Sequence, residues 1–131
     1  MKYHSLSIFL GGSCNLDCSY CFIDKENLKK ISLDVPLIKK GINFFLRHSS
    51  ENPVVSFTGG EPLLYWSSLK KLIECVRKNQ KGKKSIIIVS TNGTLLDKRK
   101  YNFLKKNNVV LSISLDGKKD INDINRVFKD K

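Results

Sequence analysis

The sequence predicts an α/β fold organised around a parallel sheet of about four strands. Short apolar runs alternate with segments whose apolar residues recur at helical spacing. Each run also ends in a loop rich in glycine or polar residues. The run Ile86-Ile87-Ile88-Val89 has no polar alternation, the look of a strand covered on both faces. Strand-helix alternation of this kind builds a parallel sheet through right-handed crossovers, with helices laid over it.

Taken in order, Leu6 to Leu10 is the first strand, closed by Gly11-Gly12, and a loop with three cysteines follows it. Asp34 can cap the first helix with Pro36 in its opening turn, and Leu37, Ile38, Ile42, Phe45 and Leu46 make its apolar face to about Arg47. Pro53 to Phe57 is the second strand and stops at Gly59-Gly60. Ser67 then precedes Leu69, Leu72, Ile73 and Val76, spaced as one face of a second helix. Ser85 to Ser90 is the third strand, ending at Thr91-Asn92-Gly93. Asp97 caps a short helix carrying Tyr101, Phe103 and Leu104, and Val109 to Leu115 is the fourth strand, ending at Asp116-Gly117. A polar segment from Ile121 to Lys129 can start a further helix. No repeat, linker or low-complexity tract intervenes, so residues 1–131 are expected to form one domain.

No stretch reaches the roughly 18 uninterrupted apolar residues of a membrane span, and the N-terminus lacks the charged, apolar, small-residue order of a secretion signal. Both features point to the cytoplasm. Three of the four cysteines crowd together, and the fourth, Cys75, falls on a predicted helix as a small packed residue. That distribution does not suggest a secreted disulfide framework. The net charge of +12 would permit nucleic-acid binding, but it is unevenly spread. Residues 1–60 carry 7 basic and 5 acidic side chains, whereas residues 61–131 carry 17 and 7. The surplus stands in short groups such as Lys81-Gly82-Lys83-Lys84 and Lys98-Arg99-Lys100 with little aromatic interleaving, so it reads as solvated faces and loops.

The cysteine loop, Gly59-Gly60-Glu61-Pro62, Thr91-Asn92-Gly93 and Asp116-Gly117 each follow a predicted strand directly. In a parallel sheet these carboxyl ends share one edge, where α/β folds bind ligands, so the four segments are expected to converge on a single site. Taken singly, each of the last three is also an ordinary turn sequence.

Cys14, Cys18 and Cys21 fall within eight residues and can converge on one metal centre. Structural zinc takes four ligands, and no nearby side chain offers the fourth: His4 lies ahead of the first strand and His48 at a predicted helix end. A disulfide leaves one thiol over, and small buried thiols explain poorly a cluster of three on a polar loop. An iron-sulfur cluster is a natural home for close thiolates but usually takes four of them, so three leave one iron open.

The pattern Cys14-x-x-x-Cys18-x-Tyr20-Cys21 resembles the defining signature of the radical SAM superfamily. The resemblance implies a [4Fe-4S] cluster on the three cysteines, with the amine and carboxylate of S-adenosylmethionine (SAM) chelated at the open iron. Reduction would cleave SAM to methionine and a 5′-deoxyadenosyl radical that abstracts hydrogen from substrate, while the protein orients the cofactor and excludes water. Gly59-Gly60-Glu61-Pro62 resembles the family's GGE-Pro segment, which implies that Gly59, Gly60 and Glu61 stand beside the SAM amine. Thr91-Asn92-Gly93-Thr94-Leu95-Leu96 and Ser112-Ile113-Ser114-Leu115-Asp116-Gly117 resemble the third- and fourth-strand motifs of sulfatase-maturase-like, peptide-modifying members. They imply that Asn92, Ser114 and Asp116 contact SAM and, with Tyr20, complete its binding site. Asn122-Asp123-Ile124-Asn125-Arg126 resembles the family's His-Asp-x-x-Arg, with Asn122 replacing the histidine, and implies that the Arg126 fork pairs with the SAM carboxylate.

As a whole the resemblance implies a partial (β/α) TIM barrel, about four of whose roughly six strands lie in this chain. It also implies a peptide or protein substrate and an electron donor such as flavodoxin or ferredoxin. An open fourth strand is prone to mispairing, so a fragment, or a chain whose barrel a partner completes, is expected. Two other readings stand beside this one: a catalytically inactive iron-sulfur or SAM-binding remnant, and a basic, zinc-stabilised binding module.

Overall fold

A computed structural model describes residues 2–28 and 32–129. Its elements are β1 (Tyr3–Phe9), α1 (Lys25–Leu28), α2 (Val35–His48), β2 (Ser49–Thr58), a 3-10 turn (Pro62–Tyr65), α3 (Trp66–Asn79), β3 (Ile86–Thr91), α4 (Lys98–Lys106), β4 (Val109–Ile113) and α5 (Lys119–Asn125). The four strands form one sheet in the order β1-β2-β3-β4, and every pair is parallel. Two helices start where expected, because an aspartate accepts a backbone N–H that would otherwise be orphaned. Asp34 accepts from Leu37 N at 2.9 Å and Asp97 from Lys100 N at 2.7 Å.

Strand side chains alternate between two faces. Ile8, Val55, Phe57, Ile87 and Val89 meet Ile42, Phe45 and Leu46 of α2, Leu69, Leu72, Ile73 and Val76 of α3, and Leu104 of α4 to form the core. Cys75 is buried at its margin. The opposite face carries the register row Ser7, Ser56, Ile88 and Val110, in which the Ser7 and Ser56 hydroxyls lie 2.9 Å apart. The third strand is therefore not covered on both sides: Ile87 and Val89 are fully buried while Ile86 is 43% exposed.

Several boundaries move for identifiable reasons. β1 starts at Tyr3 and β2 at Ser49, earlier than the apolar runs indicate, because polar residues extend both strands. Tyr3 pairs with Ser49 but Ser5 with Val54, and β2 meets β3 only from Val54 onward. Pro53, which has no N–H to donate, thus falls in the irregular part of the ladder. α3 begins at Trp66 with no side-chain cap, so Ser67 does not cap it. The entry is made by the 3-10 turn, where the Glu61 side chain accepts from Leu63 N at 2.9 Å. β4 ends at Ile113 rather than Leu115, although Ser114 N still donates to Thr91 O at 3.0 Å. The last helix is Lys119–Asn125 instead of 121–129, and Phe128 forms an antiparallel bridge with Leu16. The short α1 has no counterpart in the sequence reading.

Two basic residues serve the fold. Lys83 Nζ donates to Leu46 O at 2.5 Å and Ser49 O at 2.8 Å, neutralising the carbonyl end of α2, so this lysine is not simply solvated. Arg77 of α3 donates to Asn107 O (2.8 Å), Asn108 O (3.1 Å) and Ser85 O (2.7 Å), tying the end of α4 to the start of β3. Among the described residues no helix is long and apolar enough to cross a membrane. An ammonium cannot reproduce the planar fork of Arg77. Arg77→Lys is therefore expected to cost about 1.5–3 kcal/mol, the range of one hydrogen bond to a charged group, measured by urea unfolding. An unchanged midpoint would refute the assignment.

Candidate cofactor site

The expected convergence on one rim begins with the backbone. The β1–β2 ladder continues past the sheet: Leu10 N donates to Thr58 O (2.9 Å), Gly60 N to Gly11 O (2.8 Å) and Glu61 N to Ser13 O (2.8 Å). A Cβ on Gly60 would stand 2.2 Å from Ser13 O, and one on Gly59, whose φ is +143°, 2.7 Å from Gly11 O. The glycine pair is thus required by the approach of the loop that leads into the cysteines. Tyr65 stands behind that loop and accepts from Ser13 N at 3.0 Å.

Glu61 comes next and is fully buried. Its carboxyl accepts from Leu63 N (2.9 Å), from the Thr91 hydroxyl (2.6 Å) and from Asn92 N (2.8 Å), so it couples the end of β2 to the end of β3. Both carboxyl oxygens are thus committed to these three donors, and the side chain is not part of the cavity lining.

A cavity of about 220 Å³ opens on the rim. Cys14, Cys18, Cys21, Tyr20, Gly59, Gly60, Asn92, Ser114 and Arg126 all line it, four loops meeting as the strand ends require. Leu16, Phe22, Ile23, Thr58, Ser90 and Thr91, which sequence reasoning passed over, line it too. Thr58 and Ser90 could have been found: one ends its strand and the other stands one residue before the end, both on the parity of the open face. Phe22 gave no such signal and is 95% exposed.

Each end of the cysteine loop has its own support. At Cys14 the sulfur accepts from Leu16 N at 3.4 Å and from Asn92 Nδ2 at 3.8 Å. Asn92 Nδ2 also donates to Asn15 Oδ1 (3.0 Å), while Asn92 Oδ1 accepts from Thr94 N (3.0 Å) and the Thr94 hydroxyl (2.7 Å). At the other end the Tyr20 hydroxyl donates to Asp116 Oδ2 at 2.5 Å, and Arg126 donates through Nε and Nη2 to Asp116 Oδ1, both at 2.9 Å. The Tyr20 phenol lowers the Asp116 pKa most; partial burial works against it and Arg126 adds to the lowering. The same bond holds the Tyr20 phenol above its ordinary value. Asp116 is engaged in this way and is not part of the cavity lining. Arg126 does face the cavity, and a guanidinium bonded through Nε and one Nη2 hydrogen keeps three further donors.

The donor set suits an anionic, sulfur-ligated group: among the described residues three thiols and a guanidinium line the wall, and no carboxylate does. Among the described residues no three His, Cys, Asp or Glu side chains stand close enough together to hold a single metal ion. Three thiols lining one cavity fit an iron-sulfur cluster with one iron left open, and fall one short of the four ligands of structural zinc.

Known proteins share this arrangement. The family model of the radical SAM superfamily matches residues 8–130. The chain is 34% identical over 120 residues to a cysteine-type anaerobic sulfatase-maturating enzyme of Clostridium perfringens, covering 86% of this chain and 32% of that protein. It is 35% identical over 123 residues to a serine-type anaerobic sulfatase-maturating enzyme of Bacteroides thetaiotaomicron, covering 87% and 29%. The solved structure of native anSMEcpe with bound AdoMet and Cp18Cys peptide matches with a TM-score of 0.83 and 33% identity, over 97% of this chain and 35% of that one. The four strands and their helices correspond to part of the TIM barrel of such enzymes. The chain spans about a third of the length of these relatives.

Two outcomes test the geometry. In Glu61→Gln the amide NH2 must confront a donor, either Asn92 N–H or its neighbours at the other oxygen, so a loss of about 1–3 kcal/mol is expected in urea unfolding. Asp116 has a depressed pKa, so its stabilisation is fully present above the unfolded value and is lost as pH falls through the lower folded one. The melting-temperature gap between the natural chain and Asp116→Asn should therefore hold level from about pH 5 to 8 and narrow below about pH 4. A gap that closes near neutral pH would contradict this.

Proposed function

Because the chain belongs to the radical SAM superfamily, we propose that it holds a [4Fe-4S] cluster on Cys14, Cys18 and Cys21 and binds S-adenosylmethionine beside it for reductive cleavage. The observation that carries this reading is the presence of three thiols in the lining of one cavity, one fewer than a protein-held cluster needs, with Arg126 lining it as well. When bound, the cluster supplies the electron that breaks SAM into methionine and a 5′-deoxyadenosyl radical.

The chain's own residues bind and orient. Gly59 and Gly60 offer a wall without side chains, where a methionyl amine can approach backbone closely. The remaining Arg126 donors suit the SAM carboxylate, and Ser114 and Asn92 add polar contacts. Tyr20 lines the cavity and is held there through Asp116, and Glu61 acts from behind by holding Thr91 and Asn92 in place. Leu16, Phe22 and Ile23 supply apolar wall that excludes water from the cavity. Residues 1–131 are thus part of a radical SAM core domain. The relatives are sulfatase-maturating enzymes, and one was solved with a peptide, which supports radical modification of a peptide or protein as the reaction served. A one-electron donor of the flavodoxin or ferredoxin class and a reducing, cytoplasmic setting fit such chemistry, and completion of the barrel falls to further polypeptide.

Anaerobic reconstitution with iron and sulfide, followed by reduction and addition of SAM, tests the proposal. The expected result is about four iron atoms per chain, an EPR spectrum that changes on adding SAM, and release of 5′-deoxyadenosine. Alanine at any one of the three cysteines should abolish the signal. A colourless protein that binds one zinc ion would overturn the reading, and a SAM-responsive cluster without 5′-deoxyadenosine would reduce it to cofactor binding.

A further inference from the structure

The main sheet is entirely parallel, yet one short antiparallel contact stands outside it. The segment following α5 runs back along the cysteine loop, where Asp17 N donates to Val127 O (2.8 Å) and Ser19 N to Asn125 O (3.1 Å). Lys129 N donates to Asn15 O at 3.3 Å, and Leu16 pairs with Phe128. The Ser19 hydroxyl adds a 2.7 Å bond to Asn125 Oδ1. Every loop residue held in this way lies between cysteines, so the contact grips the spacers and leaves the sulfurs to the cavity. At its far end Asp116 joins Tyr20 to Arg126, whose guanidinium lies 5.5 Å from the Tyr20 ring centre.

We infer that residues 125–129 and Asp116 form a clasp that sets the spacing of Cys14, Cys18 and Cys21 before a cluster is bound, with Asp116 as its positioning residue. The inference rests on the proposed function only for what the clasp serves. Its physical basis is entropic: an eight-residue loop that ordered only around iron would charge the cost of fixing its backbone to cluster binding, whereas a clasped loop meets that cost on folding. Asp116 suits the role because it accepts from both elements at once, from a phenol inside the cysteine motif and from a guanidinium inside the clasp segment.

The test uses the full chain, metal-free and reduced, and follows amide hydrogen exchange by NMR. Asp17 and Ser19 should be protected in the natural chain. Asp116→Asn and Tyr20→Phe should each speed their exchange by roughly tenfold or more, the equivalent of one weakened charge-assisted hydrogen bond, while the amides of Val55 and Val89 keep their rates as the control for folding. If Asp116→Asn fails to fold, Tyr20→Phe, which removes a single hydroxyl, carries the same comparison. After reconstitution, chelators should strip iron faster from the variants, and the EPR spectrum of the reduced cluster should broaden as the thiolates lose a fixed geometry. Rapid exchange at Asp17 and Ser19 in the metal-free natural chain would overturn the clasp. So would variants that leave both exchange and EPR spectrum unaltered. A chain that shows the protection but never takes up iron would instead overturn the proposed function and leave the clasp standing.

Discussion

Gly60 lies against Ser13 with no room for a side chain between them, and the rest of the site hangs from that contact. Because the two backbones can touch, the hydrogen-bond ladder of β1 and β2 runs beyond the sheet and delivers the start of the cysteine loop to a fixed position. The next residue, Glu61, carries the connection sideways to β3, at the cost of burying a carboxyl that only three well-placed donors make tolerable. Ser114 N completes the series by bonding to Thr91 O. Four strand ends are thus linked in chain order, and the cavity is the space they enclose.

What could be read in the sequence was local. Apolar runs gave the strands, Asp34 and Asp97 announced their helices, and three thiols within eight residues declared a metal centre without help from the fold. The parallel arrangement then brought four separate motifs to one rim by topology alone. What could not be read was long-range or shared. A carboxylate beside a glycine shows no partner in sequence, and hydrogen-bond partners of Glu61 and Asp116 lie 30 and 96 residues away. Lys83 looked like a member of a charged surface, yet it satisfies carbonyls that only the folded chain leaves bare, as Arg77 does. The strand limits erred for the same reason, since Ser49 to Asn52 belong to β2, with Ser49 paired to Tyr3, although nothing in their composition favours a strand.

Side chains on the rim divide by role. Cysteines, glycines, Tyr20, Ser114 and Arg126 line the cavity, while Glu61, Asp116, Asn15 and Thr94 spend their polar atoms largely on one another, on these residues and on backbone. The second group resembles the outer shell of a metal site, whose members orient the ligands they never replace. Arg126 belongs to both groups, one edge of its guanidinium on Asp116 and the other toward the cavity.

The open face of the sheet gives the site a numerical character. Ser90 stands opposite Ser112 in the ladder, and Ser114, two residues on, reaches the cavity because strand side chains repeat every second position. One residue gained or lost within β4 would exchange even for odd. Ile113 or Leu115 would then occupy the place of a hydroxyl, although no residue of the site itself had been altered. Tolerance to insertion in this chain is therefore a matter of parity: β4 can absorb changes in pairs without losing its hydroxyls from the rim, and single steps only at the expense of the site.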